Sequence, residues 1–279
     1  MVIIFLVLLG LCLGSFVNAL VWRLHEQSQT KNAKKLRELS VLHGRSVCPH
    51  CNHQLKAIDL IPVLSWLSLK GKCRYCKKAI SRQYPLVELL TAGLLVLSYV
   101  VWPYTLQGWS GPEIAIFGLW TAILTGFVAL TVYDLRWYTL PNKIVFPLTA
   151  LGVAFVGLLA ITYQDINIVG EAILGMGVIF GLFYLLFQVS KEKWIGGGDV
   201  KLAVLLGLLA GGFMEVLLLL FLASVCGTLY SVILATLGKQ KLSRKLQIPF
   251  GPFLIAATII VVLFGLDIIN WYSDLILSV

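Results

Sequence analysis

Residues 114–137 read IAIFGLWTAILTGFVALTVYDLRW. Positions 114–133 carry no charged side chain, and about twenty such residues are what a helix needs to cross the hydrocarbon of a bilayer. The run ends at Asp134, with Arg136 just beyond it. Hydrocarbon tolerates few charges, so a carboxylate at the boundary of such a run is a functional-site candidate. A second carboxylate stands in Gly196-Gly197-Gly198-Asp199, where another apolar run opens. Two carboxylates that can meet are a candidate pair for acid and base chemistry at a membrane surface.

The rest of the chain has the same character. Of its 279 residues 59% are hydrophobic and only 13% are charged, and its mean hydropathy is +0.90. That balance predicts an all-α polytopic membrane protein. Apolar runs near 2–22, 85–101, 114–133, 144–162, 168–188, 199–211, 215–237 and 250–270 predict about eight transmembrane helices. The run at 199–211 is short for a crossing, so it must be thinly covered or joined to the next through Gly211-Gly212. The first run has no basic residue before it and Arg23 after it, which predicts a retained helix rather than a cleaved signal.

The net charge of +9 could suggest a polyanion-binding surface, but its distribution points elsewhere. All 22 Lys and Arg fall in residues 23–82, 136–143, 191–201 and 239–245, while the connectors 102–113, 163–171 and 212–215 have none. Basic loops alternating with neutral or acidic ones are the positive-inside pattern. It predicts basic loops in the cytoplasm and both termini outside. The organisation expected is a first transmembrane helix at 1–22, a cytoplasmic insert at 23–84 and a helical membrane domain at 85–279. Within the insert, the basic segment 26–45, with Leu36, Leu39 and Leu42, reads as a surface helix lying on anionic headgroups.

The insert contains Cys48-Pro49-His50-Cys51 and Cys73-Arg74-Tyr75-Cys76. Each pair suits a tight turn that points two thiolates at one ion, and two such turns close a tetrahedral zinc shell. Cys48, Cys51, Cys73 and Cys76 are therefore the expected ligands of a structural Zn2+, with Gly71 suited to a turn beside them. A cytoplasmic loop disfavours disulfides. His50 and His53 are surplus to a four-thiolate shell and are expected to be solvated. Cys12 and Cys226 lie in apolar runs and are expected to be buried small hydrophobes.

Asp134 closes a helix, where negative charge is disfavoured, whereas Asp199 opens one, where it is favoured. That difference would separate their proton affinities. The plainer alternatives are an Asp134–Arg136 pair and a helix-capping role for Asp199. Asp165, Glu113, Glu215, Asp267 and Asp274 read as solvated. Glu88 and Glu171 sit within or at the ends of apolar runs and need partners; for Glu88, near Arg82 and Lys78 in sequence, a structural salt bridge is expected, with a role in the site as the alternative. Gly10 and Gly14 suit close helix contact, and Ser15 reads as helix packing.

These elements together resemble the bacterial type IV prepilin peptidases, within the GxGD intramembrane aspartyl proteases. Gly14-Ser15-Phe16-Val17-Asn18 with Trp22-Arg23-Leu24 is similar to the family's first-helix motif. The paired CxxC elements match its zinc insert, and Arg82-Gln83-Tyr84-Pro85-Leu86-Val87-Glu88-Leu89 resembles the start of its second helix. Asp134 through Leu140-Pro141-Asn142, Gly196-Gly197-Gly198-Asp199 with Lys201-Leu202, and Ile248-Pro249-Phe250-Gly251-Pro252 resemble its two aspartate segments and its last-helix motif. The resemblance spans nearly the whole chain. It implies an endopeptidase of the bacterial cytoplasmic (inner) membrane with Asp134 and Asp199 as catalytic residues. Such an enzyme cuts the basic leader from type IV prepilins and type II secretion pseudopilins, then N-methylates the new terminus with S-adenosylmethionine. Arg136 departs from the family, many of whose members carry an acid there. No glycine-rich fingerprint locates the methyl-donor site, so a peptidase whose insert is a zinc-stapled docking scaffold stays open. A transporter using the aspartates as an ion relay is a third reading, disfavoured because the carboxylates lie at a surface and no repeat is evident.

Overall fold

The structure, a computed structural model, describes residues 1–41, 44–104, 110–236 and 249–277. Its regular structure among these residues is helical, apart from two isolated antiparallel bridges, Val47 with Gln54 and Lys72 with Ala79. Among the described residues, seven helices are long and apolar enough to cross a membrane. They are α1 (Val2–Ser28), α4 (Gln83–Val100), α5 (Gly111–Trp137), α6 (Asn142–Tyr163), α7 (Asn167–Ser190), α9 (Phe213–Thr236) and α10 (Gly251–Leu277). Two short helices, α2 (Ala33–Glu38) and α3 (Leu64–Ser68), lie in the insert. The eighth apolar run forms α8 (Gly197–Ala210), which has 14 residues. At 1.5 Å per residue α8 is only about 21 Å long and does not reach across an average core of about 30 Å. It turns into α9 through Gly211, whose φ of +86° only glycine adopts readily.

The chain forms two compact units, residues 1–100 with 124–129, and residues 101–123 with 130–279. In the first, α1 and α4 pack backbone to backbone. A Cβ on Gly10 would stand 2.5 Å from Ala92 Cα, and one on Gly14 would stand 2.5 Å from Glu88 Cα. Close approach brings dispersion contacts and short polar bonds that lipid cannot offer. Buried Asn18 donates to the Gly14 and Tyr84 carbonyls and accepts from Gln83. Glu88 accepts the Val63 N–H at 2.7 Å. That amide is the partner Glu88 needs, in place of an ion pair with Lys78 or Arg82.

α1 runs six residues past the expected end at Trp22, so 26–45 is not one surface helix. Buried Arg23 turns back to donate to the carbonyls of Ser40, Val41 and Gly44, which fixes the chain reversal after α2. Leu39 is buried rather than laid on headgroups, and Leu42 lies outside the described residues.

In the second unit, α8 is enclosed by protein, with Val200, Leu202, Ala203 and Leu205 to Ala210 all buried. Small residues let it in: a Cβ on Gly175 of α7 would meet the Gly207 carbonyl at 2.7 Å, and one on Gly207 would meet the Gly175 carbonyl at 2.5 Å. Enclosure explains how a helix too short to cross stays stable, because neighbouring side chains rather than lipid cover it. Trp102, Phe117, Trp120 and Phe155 form an aromatic cluster, with Trp120 fully buried. The basic segment 239–245 lies outside the described residues.

Cys12 is exposed and Cys226 half-buried, against the expectation that both are buried. Their helix faces look outward, where lipid rather than protein would cover them. Glu171, expected to need a partner, is exposed near the start of α7.

Candidate active site and metal centre

α5 ends one turn beyond Asp134. The Tyr138 N–H donates to the Asp134 carbonyl at 2.8 Å, with Tyr138 left-handed at φ 55°. A Cβ disfavours that conformation, which stops the helix there. Pro141 then sits at the N-cap of α6, so only a short loop joins the two helices. Asp134 is 5% exposed. Arg136 is not its partner; the guanidinium lies 5.5 Å from the centre of the Trp137 ring.

Asp199 is the third residue of α8. Its N–H donates to the Gly196 carbonyl at 3.0 Å. Gly196 is the N-cap of α8, so Asp199 is not the capping residue of the plainer alternative. None of Gly196, Gly197 and Gly198 has a positive φ. Their value is room: a Cβ on Gly198 would press within 3.2 Å of Leu140.

Leu140 joins the two acids. It also lies 3.6 Å from a Cβ placed on Gly251, the first residue of α10, and that same Cβ would stand 2.6 Å from Asp134 Oδ2. The Gly251 N–H donates to the Asp134 carboxylate. The end of α5, the start of α8 and the start of α10 thus converge around one leucine. Asp199 directly follows Gly198, so both acids belong to the segments that converge there. Lys201 Nζ donates to Asn142 Oδ1 at 3.1 Å, tying the starts of α8 and α6 at the same end of the unit. Asp134 is enclosed while Asp199 is half-buried, so the pair has a sealed side and an open one.

In the other unit, the Sγ atoms of Cys48, Cys51, Cys73 and Cys76 lie within 4.8 Å of one another and could hold a metal ion. Cys48 and Cys76 are 3.9 Å apart; metal–sulfur bonds of about 2.3 Å in a tetrahedron give edges of about 3.8 Å. The two turns are built alike. Cys48 N–H donates to the His53 carbonyl and Asn52 N–H to the Cys48 carbonyl; Cys73 N–H donates to Lys78 and Lys77 N–H to Cys73. Asn52 and Lys77, each following its second cysteine, share a left-handed φ of 55° and 59°. Gly71 is also left-handed, with Trp66 packed against it.

Asp59 clamps the second turn, accepting from Arg74 Nε at 2.6 Å and from the Tyr75 hydroxyl at 3.0 Å. Burial pushes the Asp59 carboxyl up, but the hydrogen bonds of Arg74, the Lys56 amide and Tyr75 outweigh it and hold the group below the usual carboxylate range. His53 is exposed, as expected, with its ring tilted against Tyr75 and the centres 3.7 Å apart.

Residues 8–102 match the family model described as Bacterial Peptidase A24 N-terminal domain, and residues 121–232 match the Type IV leader peptidase family. A prepilin leader peptidase/N-methyltransferase of Aeromonas salmonicida is 35% identical over 97% of this chain and 93% of its own length. One of Stutzerimonas stutzeri is 34% identical, covering 92% and 89%. The chain belongs to the type IV leader peptidase family. The type 4 prepilin-like proteins leader peptide-processing enzyme of Escherichia coli O78:H11 is 34% identical over 88% of this chain and 87% of its own length. No solved structure matches.

The residues that sequence reasoning missed in this leader peptidase are supporting ones. Asp59 carried no signal beyond its charge. Gly251 and Leu140 lay inside segments that the resemblance had already marked, 248–252 and 134–142, but nothing in the sequence placed either one beside the acids.

Proposed function

We propose that this leader peptidase is an intramembrane aspartyl endopeptidase of the bacterial cytoplasmic (inner) membrane. It cleaves the basic leader from type IV prepilins and pseudopilins and N-methylates the new terminus. The observation that supports the reading is that the Asp134 end of α5, the start of α8 that carries Asp199 and the start of α10 converge around Leu140. One carboxylate takes a proton from water as it attacks the scissile carbonyl, and the other donates a proton to the carbonyl oxygen or the leaving amine. No acyl-enzyme forms, since no nucleophilic side chain is involved. Arg136, Lys143, Lys191, Lys193 and Lys201 flank the helix ends that carry the acids. By the positive-inside rule these ends are cytoplasmic, where the junction of a basic leader and a hydrophobic helix lies.

The four cysteines hold structural Zn2+, for which thiolate donors at tetrahedral spacing are suited. The insert at 23–84 acts as its own functional domain. S-adenosylmethionine supplies the methyl group, and no residue is assigned to it. The structural engagement of Asp59, Arg74 and Tyr75 favours a second reading, in which the insert only scaffolds substrate and the enzyme is a peptidase alone.

Purified wild type, Asp134→Asn and Asp199→Asn are compared on a synthetic prepilin segment in lipid, with and without S-adenosylmethionine, with products read by mass. Cleavage is expected in the wild type only, with a methyl-sized gain that needs the donor. Cleavage without the gain selects the second reading. Full cleavage by either variant would falsify the dyad.

A further inference from the structure

Between its two cysteine turns the insert exposes a run of large aliphatic side chains. Ile58, Leu60, Ile61, Leu64 and Leu67 are 57%, 40%, 43%, 65% and 57% exposed, although the run lies outside every membrane-crossing helix. Clustered apolar exposure of this kind marks a surface that something covers.

Two observations identify the cover. The first is depth. The Val63 N–H donates to Glu88 Oε2 at 2.7 Å, and Glu88 lies in the second turn of α4. The run is therefore pinned beside the start of a membrane-crossing helix. The outward residues of α4 there, Leu86, Leu89 and Leu90, are 63%, 53% and 48% exposed. Trp66, within the run, is half-buried and its indole N–H donates to the Ile80 carbonyl, so the exposed aliphatic side chains are set apart from a residue engaged with the insert.

The second is charge. Residues 45–82 hold eight Lys and Arg against one acid, Asp59, and Arg74 engages that acid. Lys56 precedes the apolar run, and Lys70 and Lys72 follow it. Aliphatic side chains bracketed by unneutralised lysines are the composition of a segment that lies in the headgroup and acyl boundary of an anionic leaflet.

We propose that residues 58–67 form an interfacial anchor that seats the zinc insert in the leaflet at the start of α4, with anionic phospholipid as its ligand. The anchor restricts the insert to the membrane surface independently of the peptidase chemistry.

The test uses full-length protein with photoreactive p-benzoylphenylalanine in place of Leu64, whose side chain is already open. A second preparation carries it in place of Leu67. Each is reconstituted in vesicles of mixed phosphatidylcholine and phosphatidylglycerol, irradiated, and analysed by mass. Lipid adducts are expected at both positions. Phosphatidylglycerol should exceed its bulk share by about fivefold, on the scale of one lysine's attraction to an anionic surface. Lys56→Gln, Lys70→Gln and Lys72→Gln combined should return the adducts to bulk composition. Absence of lipid adducts at both positions, adducts of bulk composition in the wild-type background, or transfer of the crosslink to an added prepilin segment would each overturn the proposal.

Discussion

Gly251 illustrates how a residue without a side chain can govern a site. Its N–H holds the Asp134 carboxylate, and its missing Cβ leaves the space that Oδ2 occupies. Gly251→Ala should displace Asp134 and lower prepilin cleavage about 100-fold, the scale of a misplacement near 1 Å. The thermal unfolding midpoint should stay near wild type, so a large fall in that midpoint would mean the glycine serves folding instead. Asp59 makes a residue-scale prediction in the insert. Its folded-state affinity for protons is depressed, so its contribution to stability is complete above its unfolded pKa and is lost as pH falls through the lower folded value. Limited proteolysis of the insert should therefore accelerate on acidification more steeply in wild type than in Asp59→Asn. Equal pH slopes would show that the clamp adds nothing.

Among the elements, α1 and α4 depend on contact at Gly10 and Gly14, where a Cβ reaches the opposing backbone. Backbone cannot retreat as a flexible side chain can, so Gly14→Val should separate the helices, at a cost of about 1–3 kcal/mol typical of overpacking. A lowered thermal midpoint in detergent, with Phe16→Val as an exposed control on the same helix, would register it. The helix–helix role of Gly10 and Gly14 was legible in the sequence because small residues one turn apart have few other uses in an apolar helix. The shortness of α8 and its turn at Gly211 were legible too, but its enclosure by neighbouring helices was not, because its apolar composition matches that of a lipid-facing helix.

For the molecule as a whole, the four cysteines are expected to hold one zinc ion per chain. Cys48→Ser with Cys73→Ser should abolish the metal in elemental analysis and open residues 45–82 to protease, since an insert this small has little core of its own. Retention of metal by that variant would move the site elsewhere. The orientation also makes a prediction. A single cysteine placed at Asp165 should react with an impermeant thiol reagent added outside intact cells, and one placed at Lys193 should not, in a background lacking other reactive thiols. The reverse pattern would invert the membrane orientation and put Asp134 and Asp199 on the wrong side for a cytoplasmic leader.

The sequence by itself determined the membrane class, the helical architecture and the spacing of the cysteine pairs. Each rests on local properties: an apolar run long enough for a bilayer, and two thiols brought together by one tight turn. Asp134 and Asp199 were legible as candidates because a charge beside hydrocarbon is costly wherever the chain goes. Only the tertiary structure decided that the segments carrying the two acids converge around Leu140 and the start of α10, and that Glu88 bonds a backbone amide instead of a nearby lysine or arginine. These features join residues far apart in the chain. Helix periodicity and composition do not encode such distances, which follow from how closely glycine-lined helices can approach.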